Sequence, residues 1–289
     1  MQAAPVVDSH VHFWDPALLE YPWLDEHPTL KRTFLPSDYA PLRSRRADAV
    51  VFVQADCRPD QSADEVEFVE RLAEAEPRVV GIVAYVDLND ESAVVPALDR
   101  LQRSQRVVGV RHNIQGRVPG YCLTPAFVRG VQQVGDRGLP FDLCITASQL
   151  SEATELVARC PGMSFVLDHC GKPAIRNDAY DAWADALSRL ASYGRVSCKL
   201  SGLLTEARLE QRTASGLERY ASHALATFGA GRCLYGSDWP VCTLGGSADE
   251  WRRMTEAFVA HLGAAEQRRF YAGNAIAIYG LKLHANSIS

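Results

Sequence analysis

No Cys-x-x-Cys pair occurs among the eight cysteines, Cys57, Cys122, Cys144, Cys160, Cys170, Cys198, Cys233 and Cys242, so a cysteine-built zinc cluster is not expected. Several stand in apolar runs, such as Cys144 in FDLCI and Cys198 in VSCKL, where cysteine acts as a small hydrophobe and stays reduced. Runs of basic residues are also missing: 30 Lys and Arg stand against 35 Asp and Glu, a net charge of -5, which argues against a nucleic-acid partner. There is no apolar stretch of about 18 residues, and Met1–Val7 lacks a basic and apolar leader, so no membrane partner and a cytoplasmic location are expected. Gly/Ser linkers and low-complexity tracts are absent too. A chain that is 47% hydrophobic can bury a substantial core. Its 289 residues suit either two domains of roughly 150 residues or one closed α/β barrel of about 250.

What is present decides between them. Short β-rich runs begin at Val6 (VVDSHVH), Ala49 (AVVFVQ), Val79 (VVGIVAYVD), Val107 (VVGVRHN), Leu139 (LPFDLCI), Met163 (MSFVLDH), Arg195 (RVSCKLS) and Arg232 (RCLYGSD). Their spacing of about 30 residues is that of one βα unit. Between them run helical stripes: Val66, Val69 and Leu72; Trp183, Leu187, Leu190 and Ala191; Leu217, Tyr220, Ala221, Ala224, Leu225 and Phe228; and Trp251, Met254, Phe258 and Leu262. A terminal helix is expected after Gly273-Asn274. Near-continuous apolar strands imply burial on both faces, and eight strand–helix repeats predict an α/β fold, a single (β/α)8 TIM barrel spanning 1–289. An open, doubly wound sheet is the alternative.

Active sites of such barrels lie at the C-terminal ends of the strands. His10 and His12, two apart in the first strand, point their imidazoles to one side; Asp8 has the same parity and could orient an imidazole or cap the strand base. A lone strand histidine is usually a core residue, but a His-x-His at a strand exit offers two converging nitrogens. His169 ends the sixth strand and Asp238 the eighth, the latter just before Trp239-Pro240; a turn aspartate is the plainer role for it. These four suit hydrolysis, with the carboxylate taking a proton from water. The same four could equally hold zinc, and the residues alone do not choose between these modes. Arg111, His112, Asp142, Lys172 and Lys199 also fall near the rim, with only one of Arg111 and His112 facing it. A cation as interior as Lys199 needs a partner such as Asp142, or a substrate oxygen. The long connection from Phe13 to about Pro36 carries Trp14, Tyr21 and Trp23, which either roof a pocket or pack the loop down. Trp14 and Trp239 join Arg111, His112, Lys172 and Lys199 as candidate substrate contacts.

Together VDSHVHFWDP, GVRHN, VLDHCGKP, CKLSGLLTEA, LYGSDWPVC and YAGNAIAIYGL resemble the amidohydrolase superfamily, and within it the amidohydrolase-2 branch that contains sugar-acid lactonases. The likeness runs from Asp8 to Leu281. It implies the (β/α)8 barrel, water attack on a small-molecule lactone in carbohydrate catabolism, and the base role for Asp238, with His10, His12 and His169 matching the branch's histidines. Arg111-His112 and Asp142 stand where binuclear relatives carry other ligands, which implies one divalent ion or none. A metal-dependent decarboxylase and a lactone isomerase are the rival chemistries, and a catalytically silent binding barrel is the rival class. A scarcity of convergent arginines favours a neutral sugar lactone. Oligomeric state is not legible.

Overall fold

Eight short strands of mostly buried residues build the centre: β1 (Val7–Val11), β2 (Ala49–Val53), β3 (Val79–Ala84), β4 (Val107–Arg111), β5 (Phe141–Leu143), β6 (Phe165–Leu167), β7 (Val196–Leu200) and β8 (Cys233–Tyr235). In this computed structural model, which describes residues 5–43 and 47–283, each strand pairs in parallel with the next in chain order. The cylinder shuts beyond the strand ends, where a parallel bridge joins Val11 to Trp239, His12 N–H donates to the Trp239 carbonyl (2.7 Å) and Asp238 N–H to that of His10 (2.9 Å). The fold is a (β/α)8 barrel.

Amphipathic helices clothe it at Ser62–Ala75, Glu91–Leu101, Pro125–Asp136, Leu150–Arg159, Asp181–Ala191, Ala214–Phe228 and Ala248–Val259. All four expected stripes lie within or beside these helices, their apolar positions packed on the strands. The strand–helix alternation fails in the first unit. There the long connection holds 3-10 turns at Pro22–Glu26 and Pro36–Asp38 and a single α-turn at Ala40–Arg43. The terminal helix is short, Asn274–Tyr279. Its Tyr279 packs with Val7, Val51, Val83, Val166 and Leu234 in a second, smaller apolar cluster. Among the described residues no helix is long and apolar enough to cross a membrane, and all eight thiols are free and buried.

Glu65, in the first turn of the Ser62–Ala75 helix, is buried with its Oε1 accepting the N–H of Ala55 (3.0 Å). Burial pushes its carboxyl up to about 8 from an ordinary 4.5. The folded chain therefore holds a proton that the unfolded chain has released, and stability falls as pH rises from about 4.5 to about 8. Glu65→Gln keeps an acceptor for Ala55 and removes the titration. Urea unfolding of the wild type should decline across that window more steeply than the variant, by up to about 1.4 kcal/mol per pH unit. Parallel pH profiles would contradict the assignment.

Candidate active site

The strand ends place three imidazoles around one carboxylate. His10 Nε2 lies 3.1 Å from His12 Nε2. Asp238 Oδ1 stands 3.3 Å from His12 Nε2, 3.7 Å from His10 Nε2 and 3.8 Å from His169 Nε2. Both His169 (φ 54°) and Asp238 (φ 61°) hold left-handed backbone, so the chain turns sharply out of β6 and β8 as it delivers them. Gly202, just after β7, leaves room for the His169 ring: a Cβ there would come within 2.7 Å of His169 Cγ.

Each ring is held from behind. His12 Nδ1 donates to the Val53 carbonyl (2.7 Å), which turns its Nε2 toward Asp238. His169 Nδ1 bonds Ser201 Oγ (2.9 Å), and His10 Nδ1 lies 3.2 Å from Asp168 Oδ1. Asp168 takes Lys199 Nζ (3.0 Å) and Arg111 Nη1 (3.3 Å) as counter-charges. Lys199 also binds Asp142 Oδ2 (2.6 Å), whose oxygens accept from the Tyr279 hydroxyl (2.9 Å). A buried polar column thus runs from Tyr279 through Asp142 and Lys199 to Asp168 and His10.

Burial holds His10 well below the usual imidazole range and brings His169 down to about 4, so both rings are neutral at pH 7. For Asp238, burial favours the acid form, but contact with His169, His12 and His10 outweighs it and keeps the carboxylate ionised. Asp168 behaves alike: Lys199, His10 and Arg111 overcome its burial. Burial also opposes the charges of Lys199 and Arg111, and their neighbours, chiefly Asp142 for the lysine and Cys144 and Asp168 for the arginine, restore them.

A cleft of about 300 Å³ opens over this carboxylate, with His12, His169, Asp238, Arg111 and Lys172 on its walls and Trp23 and His27 from the long connection above. The sequence profile of the Amidohydrolase family matches residues 7–281. The chain belongs to that family. An L-fucono-1,5-lactonase of Burkholderia multivorans is 34% identical over 95% of this chain and 96% of its own, and one of Burkholderia ambifaria is 31% identical over 94% of each. Among solved structures, an amidohydrolase from Burkholderia multivorans with bound zinc superposes with a TM-score of 0.86 at 32% identity, over 96% of this chain and all of its own.

In this amidohydrolase the donor set fits a single divalent ion. Bonds of about 2.0–2.2 Å to imidazole nitrogen and carboxylate oxygen separate tetrahedral ligands by about 3.3 Å, close to the spacings of His10, His12 and Asp238. The outward nitrogens of His10 and His12 meet a carboxylate and a carbonyl, the supporting pattern of metal-binding histidines. Asp168, His10 and His169 form a second acceptor group, but Lys199 and Arg111 already neutralise Asp168.

The other candidate contacts divide. Arg111 faces the cleft, its Nη2 on the Gln54 carbonyl and its buried Nε without a hydrogen-bond partner. His112 points the other way, bonded to the Val86 carbonyl (3.0 Å) and the Tyr121 hydroxyl (2.8 Å) and packed on Tyr85 and Phe127. Neither it nor Lys199, fully buried beneath His10, lines the cleft. Trp14 and Trp239 are also kept from it. Trp14 donates to the Leu30 and Arg32 carbonyls and packs the long connection down, while Trp239 is wedged among Phe13, Phe34 and Tyr39. Of Trp14, Tyr21 and Trp23, it is Trp23 that lines the cleft. A register irregularity in β1 between Asp8 and Val11 interrupts the alternation, and Asp8 binds the Tyr39 hydroxyl and Ser237 N–H instead of an imidazole. Sequence reasoning missed Asp168, Asp56, Asn113 and His27. Asp168 alone carried a signal, as an acid inside an apolar strand end.

Proposed function

We propose that the chain opens a sugar-acid lactone by hydrolysis. The observation that carries this reading is the ionised Asp238 carboxylate, ringed by three imidazoles at the floor of a cleft sized for a monosaccharide ring. The two lactonase relatives support the substrate class.

Asp238 Oδ1 accepts a proton from water as its oxygen attacks the lactone carbonyl. Neutral His10 and His169 hold that water and the carbonyl in line together with His12, whose Nδ1 is committed to the Val53 carbonyl. Arg111, on the cleft wall, brings its positive charge to the oxygen that gains charge. As the carbonyl carbon releases the ring oxygen, the proton held on Asp238 passes to it, giving a hydroxy acid and restoring the carboxylate. Lys172 is placed to receive the new carboxylate. A divalent ion held by His10, His12, His169 and Asp238 would supply Lewis acidity to the carbonyl and a more acidic water.

A pH-indicator assay across aldono-1,5-lactones, L-fucono-1,5-lactone included, with and without added zinc or chelator, tests the reading. Acid release is expected, with zinc bound at no more than one equivalent per chain by elemental analysis. Silence toward every lactone under both metal conditions would refute it.

A further inference from the structure

The wall of the cleft formed by the loops after β2 and β4 has no part in the chemistry above. Asp56 and Asn113 line it. Asn113 Nδ2 donates to Asp56 Oδ2 (2.7 Å), Gln54 Nε2 donates to Asp56 Oδ1 (3.1 Å), and Gln54 Oε1 accepts from Asp56 N–H (2.7 Å). Asn113 Oδ1 in turn takes the N–H of Gln115 (3.0 Å). The pair is therefore aligned but not saturated. A carboxylate has about four acceptor positions and a primary amide two N–H groups. Asp56 thus retains open lone pairs, and Asn113 one N–H, side by side.

Asp56 also sits at φ 54°, where glycine would be free of strain. A side chain kept at that cost, rigidly braced and facing a cleft, is placed to hold something. What it can hold follows from the chemistry. An acceptor beside a donor, on neighbouring atoms, matches two hydroxyls on adjacent ring carbons, one donating and the other accepting. Trp23, also lining the cleft, offers a face for the ring's C–H surface. Glu26 and Asp56 on this wall together repel a carboxylate substituent on the part of the ring seated there.

We propose that Asp56 and Asn113 read a vicinal diol on the lactone ring and so select hydroxylated, otherwise uncharged sugar lactones. The proposal rests on the lactonase reading for its substrate. The bond from Arg111 to the Gln54 carbonyl ties this pair to the reacting end, so a ring seated on Asp56 and Asn113 is brought into register with Asp238.

The test uses Asp56→Gly, which suits the left-handed backbone, and Asn113→Ala. Each is assayed on L-fucono-1,5-lactone and on δ-valerolactone, which lacks ring hydroxyls, and each is titrated with the hydroxylated δ-lactam, which resists hydrolysis. The kcat/KM ratio of the hydroxylated over the bare lactone should fall about tenfold or more in either variant, with a similar weakening of lactam binding. Should both substrates suffer in proportion, or the lactam bind wild type and variants alike, the pair is only a loop brace and the proposal is overturned. It is overturned equally if the wild type does not bind the lactam. Lactam binding that is lost in the variants, in a wild type that opens no lactone, would uphold the diol site and reject the lactonase reading.

Discussion

Asp238→Asn should lower kcat on an aldonolactone by about 10²- to 10⁴-fold while leaving the melting temperature near that of the wild type. The amide has the shape of the carboxylate but cannot take the proton of the attacking water. The fold has little reason to suffer. Asparagine tolerates the left-handed backbone found at position 238, and the main-chain bonds there, Asp238 N–H to His10 and Cys242 N–H to Asp238, need no carboxylate. Because the lost interaction belongs to the transition state, kcat and kcat/KM should drop together with KM little changed. Stopped-flow acid release beside a thermal melt reads both quantities. Turnover within a fewfold of wild type would show that another group abstracts the proton.

The second large effect is on stability. Lys199→Met leaves Asp142 and Asp168 buried without their shared ammonium, and removing one partner of a buried ion pair costs about 3–5 kcal/mol. For a chain of this size that lowers the melting temperature by roughly 10 °C. The deficit should depend on pH in a defined direction. Burial already pushes Asp142 up to about 6 with Lys199 present, against an ordinary 3.8, and without the ammonium it rises further. A carboxyl whose folded value is raised contributes full stability below its unfolded value and loses it as pH climbs through the folded one. The variant should therefore recover toward wild type as pH falls from 8 to about 6, where Asp142 of the wild type takes up its proton as well, and the double variant Lys199→Met/Asp142→Asn should be the more stable of the two at pH 8. Calorimetry across that range checks both; a deficit independent of pH would mean that lost packing, not charge, is responsible.

Strand positions were legible because burial on both faces leaves an unbroken apolar signature, and the histidines were legible because a strand alternates with period two. The same rule failed at Asp8, since the register irregularity in β1 cannot be read from side-chain polarity. Lys199 illustrates a reading from cost: a cation in an apolar run demands an acid, and Asp142 is that acid. Nothing in the sequence chose between Arg111 and His112, because they are neighbours at one strand exit and either could have faced inward. Asp56, Asn113 and His27 were out of reach for a different reason. They belong to loops, whose paths follow from turns and contacts distant in sequence, and nothing periodic announces where such residues come to rest. The long first connection showed the same limit: its aromatics demanded burial, yet only the folded chain assigns Trp14 to packing and Trp23 to the roof.

The column from Tyr279 to His10 joins the first strand of the barrel to the short helix Asn274–Tyr279, so two stretches far apart in sequence meet beneath the reaction centre. Among the described residues that phenol and the Lys199 ammonium are the side chains that donate to Asp142, so without the phenol the buried acid is left to the lysine. A change at position 279 thus reaches His10 through Asp142 and Lys199 without touching the cleft.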